Sequence, residues 1–152
     1  MNSKFIRPTG INFSSYHALN AVEMSNILRE IVGFIRKLEI NEPLERYDDW
    51  WEHDGLHFYR GNITIEELLD IVSTPLTLQN EMTTDFYVFI GVAPKNNDWY
   101  LRFYLDEDEL VGRFDVTFSS ETSKLFRGKM LPETLKILTE SNSESYYDSI
   151  IL

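Results

Sequence analysis

The chain has 152 residues, of which 43% are hydrophobic and 14% aromatic, with no cysteine and a net charge of −11. Its length suits one domain, residues 1–152, able to bury most of its apolar surface, and its apolar content is too high for intrinsic disorder. The missing cysteines remove disulfides, thiolate nucleophiles and thiolate metal ligands and fit a reducing cytoplasm, and no window holds the roughly 18 apolar residues of a spanning helix, so the expectation is a non-secreted, non-membrane, cytoplasmic domain.

The elements can be taken in chain order. Residues 1–19, with Pro8 and Gly10, read as an irregular lead-in. Asn20 and Glu23 have capping-box spacing, and Met24, Ile27, Leu28, Ile31, Val32, Ile35 and Leu38 recur at helical intervals, which predicts a helix near 20–39. Arg36 and Lys37 suit its negative pole, and Pro43 lies beyond its end. Gly33 within it costs roughly 1 kcal/mol relative to Ala, which predicts close packing against another element. LHFYR (56–60) reads as a short strand ending at Gly61-Asn62. Thr64 and Glu67 then open a second helix near 65–73, with Pro75 as its stop.

A three-strand meander follows. FYVFIGVA (86–93) is apolar on both faces, as a central strand requires. In 99–105, Trp99, Leu101, Phe103 and Leu105 alternate with Tyr100, Arg102 and Tyr104; in 111–118, Phe114, Val116 and Phe118 alternate with Arg113, Asp115 and Thr117. Charge chooses the register of this hairpin. One compact pairing opposes Arg102 to Arg113, and the other opposes Arg102 to Asp115 and Tyr104 to Arg113; opposite charges favour the second by roughly 0.2–1 kcal/mol. SSETSKLFRG predicts a short helix ending at Gly128, LPETLKILTE places Pro132 in a permitted first-turn position, and 141–152 reads as a loop-like tail whose final IIL could dock on the core.

The window DDWWEHDGLH (48–57) concentrates polar chemistry beside two tryptophans. His53 and His57 would share a face of a helix, but in a strand residues four apart lie roughly 13 Å from each other, too far to share one ion. The HExxH order is also absent, so no metal site is expected. DEDE (106–109) lacks the alternating oxygen ligands and sixth-position glycine of a calcium loop and reads as a solvated hairpin tip. There is no GxSxG elbow, phosphate loop or dinucleotide turn. Neither a catalytic residue nor a cofactor is assigned.

Residues 1–47 carry six Lys/Arg and five Asp/Glu, residues 48–109 three and fourteen, and residues 110–152 five and six. The whole imbalance therefore lies in the middle segment. Such a field repels nucleic acid and anionic membranes and favours a basic protein partner. Trp, Tyr and Arg recur within it, and these are the usual anchors of interfaces. The expected contact set is Asp48, Asp49, Trp50, Trp51, Glu52, Asp54, Tyr100, Arg102, Tyr104, Asp106, Glu107 and Asp108. The function expected is a non-catalytic acidic interaction module, in its most concrete form an immunity or inhibitor protein neutralising a toxin or nuclease. The alternative is a small-molecule or hydrolytic pocket lined by some of Phe58, Phe86, Trp99, Phe103 and Phe114, with His53, His57 or a nearby carboxylate as its polar group.

The order helix, short strand, helix, three-strand meander over 20–118 resembles the cone-shaped rolls of the nuclear-transport-factor-2-like superfamily. That resemblance implies an α+β fold in which a curved antiparallel sheet wraps N-terminal helices, with 119–152 as a C-terminal helical extension. It carries no function across, because one scaffold hosts many chemistries.

Overall fold

A computed structural model describes residues 10–38, 43–81, 86–96, 98–106 and 111–142. Along the chain the elements are β1 (Ile11–Ser15), β2 (Leu19–Asn20), α1 (Ala21–Arg36), β3 (Leu44–Glu52), β4 (Gly55–Ile63), α2 (Ile65–Val72) and α3 (Pro75–Glu81). They continue with β5 (Phe86–Ala93), β6 (Trp99–Asp106), β7 (Val111–Phe118), α4 (Ser120–Lys129), α5 (Pro132–Lys136) and β8 (Leu138–Asn142). The fold is α+β: one antiparallel sheet in the order β4-β3-β5-β6-β7-β1-β8, with β2 paired to β7.

Local chemistry accounts for the helix starts. The Asn20 side chain accepts from the Glu23 N–H while Glu23 accepts from the Asn20 N–H, and Thr64 and Glu67 do the same for α2. The predicted meander is present, with its middle strand running one residue further, to Asp106. Its last hairpin has the register that charge favours: Arg102 faces Asp115, Tyr104 faces Arg113, and Arg102 Nη2 lies 2.8 Å from Asp115 Oδ2.

The structure departs from expectation in four regions of the chain. The lead-in contains β1 and β2, and β1 pairs with β7 and β8, so the sheet continues past the meander. Pro75 does not merely stop α2; it opens α3, where its missing N–H costs nothing. The first strand of the DDWWEHDGLH window extends from Leu44 to Glu52, and β4 runs on through Gly61-Asn62 to Ile63. Ser141 and Asn142 close β8 rather than beginning a tail; residues 143–152, with the expected docking of IIL, lie outside the described residues. The cone-shaped roll is not confirmed, since β1 and β8 extend the sheet beyond any element that the resemblance supplies.

The core lies on one face of the sheet. Trp99, Leu101, Phe103 and Leu105 from β6, with Phe114, Val116 and Phe118 from β7, join Ile90 and Val92 from β5 in one cluster with Met24, Leu28, Ile31 and Ile35 of α1. Alternation makes this possible, because every second side chain of a strand points the same way. At one end Phe13 (β1), Phe34 (α1), Phe118 (β7) and Phe126 (α4) pack as an aromatic group with centroids 4.7 to 6.3 Å apart.

Two glycines make room for tyrosines. A β-carbon at Gly91 would lie 2.5 Å from the Tyr100 hydroxyl, and one at Gly61 would lie 2.1 Å from that of Tyr59. Gly33 is different: a β-carbon there would meet nothing within 4 Å among the described residues, so the close packing expected of it is not made by them.

Phe126 has no solvent exposure and touches three rings, so Phe126→Ala should destabilise the fold by about 3–5 kcal/mol in urea unfolding. A loss below about 1 kcal/mol would mean that the aromatic group is not what holds α4 to the sheet.

Candidate functional site

The window that concentrates polar chemistry folds as the β3–β4 hairpin. Glu52 pairs with Gly55 across the two-residue turn His53-Asp54, and Gly55 has φ +129, a backbone region that favours glycine. His53 is exposed in that turn, whereas His57 sits in β4 with Nε2 2.6 Å from Asp54 Oδ1 and its ring stacked on Trp50 at 5.8 Å. The Asp54–His57 hydrogen bond holds the Asp54 carboxyl below its ordinary pKa. Among the described residues no group of three or more His, Asp or Glu is placed to hold a metal ion.

Strand alternation then divides the hairpin. Asp48 lies opposite Ile90, and Arg46 opposite Val92, on the helix-covered side of the sheet; Tyr47 lies opposite Gly91, and Asp49 opposite Phe89, on the other side. On the helix side a cleft of about 650 Å³ opens between the hairpin and α2–α3. Four carboxylates line it: Asp48 from β3, Glu67 and Asp70 from α2, and Glu81 from α3. Trp50 and Tyr59 contribute aromatic walls, and Arg46 is the single cation of the lining among the described residues.

Arg46 organises the floor of this cleft. Its Nε reaches Asp48 Oδ1 at 2.9 Å and its Nη2 reaches Asp48 Oδ2 and Glu81 Oε2, each at 2.8 Å. Burial opposes the guanidinium charge, but the hydrogen bonds that it donates to both carboxylates outweigh this and raise the Arg46 pKa. Asp48 is 3% exposed, and that burial lifts its carboxyl above the ordinary value against the downward pull of Arg46. Glu67 and Asp70 remain at the solvent side, as exposed residues of α2.

The expected contact residues are therefore not one face. Asp48 is nearly buried at the floor of the cleft, while Trp50 is half-buried in the cleft wall. Asp49 lies on the opposite side with its carboxylate 3.1 Å from Arg60 Nη1, and Asp54 is exposed in the turn. Trp51 and Glu52 occupy β3 opposite Leu56 and Gly55. Tyr100, expected to be exposed, is 2% exposed because it lies over Gly91. Arg102 is bound to Asp115 and covers the Phe89 ring, and Tyr104 is half-buried; with Arg113 and Ser14 these line a separate hollow of about 400 Å³ on the helix-free side. Asp106 ends β6, and Glu107 and Asp108 lie outside the described residues.

The described residues named for the alternative pocket have unlike surroundings, with Phe103 and Phe114 also among the lining of the 400 Å³ hollow. Trp99, Phe103 and Phe114 are packed in the core, and Phe58 is 63% exposed on β4. Arg46, Glu67, Asp70 and Glu81 carry no local signature of a site. Their signal is regional: residues 61–94 contain five carboxylates and no Lys or Arg.

No family model matches the chain, and no curated protein or solved structure matches it significantly.

The cleft makes two predictions. Arg46→Ala leaves buried Asp48 uncompensated and should cost about 3–5 kcal/mol in denaturant unfolding, more than Asp48→Asn, which leaves Arg46 its bond to Glu81. In a carboxyl NMR titration, Asp48 should titrate above its ordinary value and Asp54 below it. Because the folded Asp48 value is the higher one, its favourable linkage is complete below the unfolded pKa and is lost as pH rises through the folded midpoint. For Asp54 the order reverses: its contribution is present above the unfolded pKa and is lost as pH falls through the folded one.

Proposed function

We propose that the chain is a non-catalytic interaction module that receives cationic side chains of a basic protein partner in the cleft between the β3–β4 hairpin and α2–α3. The observation that carries this reading is the convergence of Asp48, Glu67, Asp70 and Glu81 on one cleft walled by Trp50 and Tyr59. Arg46 offsets one of the four charges, so an excess of negative charge remains. Carboxylates attract an incoming guanidinium or ammonium group, and an aromatic face adds a cation–π contribution of about 0.5–2 kcal/mol. The α2–α3 region around it has no cation of its own between positions 61 and 94 to compete.

In its most concrete form such a module neutralises a cationic toxin or nuclease, where charge complementarity raises the association rate and suppresses wrong partners. Arg46 sets the specificity in this reading: by holding Asp48 and Glu81 in place it presents their remaining lone pairs in fixed directions.

Capture from the native cell on immobilised protein tests the reading. A basic protein should be retained in low salt and released as salt rises, and Asp70→Lys, at an exposed position of α2, should reduce retention about tenfold or more without changing the thermal midpoint. Retention indifferent to both salt and Asp70→Lys would overturn it.

A further inference from the structure

A second surface lies away from the acidic cleft, in the angle between α1 and α4. Here a groove of about 370 Å³ has Gly33, Phe34 and Met130 among its lining, with Leu125 along one side. Phe34 and Met130 are buried members of the core, so the groove opens onto it, while Leu125 is 56% exposed. Arg29, Lys37 and Lys129 also line it. The one acidic residue of the lining among the described residues, Glu30, is committed: its carboxylate accepts from the Leu131 N–H and from the Thr134 hydroxyl, both at 2.6 Å, which fixes the start of α5 against α1. On a chain of net charge −11, this groove is apolar with a cationic lining.

Gly33 supplies the independent observation. It lies inside a sixteen-residue helix, where glycine is a poor choice, and none of the described residues occupies the space that its missing side chain leaves. The bare backbone there leaves room for a close approach. We infer that this groove docks an amphipathic helix of another protein, one whose apolar stripe is flanked by acidic residues. Small residues admit a helix to short interaxial distance, apolar anchors at i, i+3/i+4 and i+7 fill such a groove, and acidic flanks meet Arg29, Lys37 and Lys129.

The described helix α2 of a second copy does not supply that helix. Acidic and amphipathic, it already buries Leu68 and Val72 completely in its own core. An anionic lipid surface would share the groove's chemistry but would meet the repulsion of the whole chain.

Fluorescence anisotropy of the full chain with a labelled synthetic amphipathic peptide, Leu at i, i+3, i+4 and i+7 and Glu on both flanks, tests the inference. The wild-type chain should bind it, and Gly33→Met, which fills the groove, should weaken binding about tenfold or more. Lys37→Glu with Lys129→Glu should do the same, and a peptide with Lys in place of Glu should bind correspondingly less. Gly33→Ala provides the folding control, raising the thermal midpoint by about 2–4 °C. Absence of peptide binding, binding unchanged by Gly33→Met, or equal binding of the Lys peptide would each overturn the proposal. So would binding to vesicles of anionic phospholipid that Gly33→Met abolishes while peptide binding persists.

Discussion

The packing of Phe13, Phe34, Phe118 and Phe126 is the contact on which the rest of the arrangement depends. It joins β1, α1, β7 and α4, so that elements more than a hundred residues apart in sequence share one apolar junction. Edge-to-face and tilted ring contacts add about 0.5–1.5 kcal/mol per pair to the burial itself. With that junction made, β1 lies between β7 and β8, and the sheet gains two strands that the meander alone would lack. Ordering this many non-local strand pairings is entropically expensive and makes for slow folding.

Covering one face of the sheet and not the other has a further result for electrostatics. Side chains that alternate along β3 enter different media: Asp48 sits against Arg46 and Glu81 under α3, while Asp49 reaches Arg60 at the surface. Neighbouring carboxylates thereby acquire unlike surroundings, one at the cleft floor beside Arg46, one half-buried on the opposite side beside Arg60. An acidic stretch in sequence is thus folded into two unlike surfaces, because a strand distributes consecutive residues to opposite sides.

This explains what the sequence disclosed and what it did not. The capping residues Asn20 and Thr64 marked both helix starts because the chemistry is local. The Arg102–Asp115 pairing was legible because like charges excluded the competing register. β1 and β8 were not legible: INFSS and LTESN are short and largely polar, and they become strands only by pairing with each other and β7. Pro75 reads equally as an end or a beginning, and only the chain beyond it decides. Charge counting located the acidic region, but the cleft itself joins β3, α2 and α3, whose meeting is a tertiary fact. Tyr100 was misjudged because its burial depends on a glycine in the adjacent strand.

That last relationship reaches beyond the folded molecule. The Tyr100 hydroxyl occupies the volume that any side chain at position 91 would need, and Tyr59 does the same for position 61. Each couple behaves as a single heritable unit: a side chain can enter at the glycine only when the ring has already shrunk or turned away. For the buried Tyr100 a mutational path therefore has an order built into it, tyrosine first and Gly91 second, whereas the exposed ring of Tyr59 can turn away from a side chain at position 61. Substitutions at these positions, taken one at a time, will misstate what the pair together can accept.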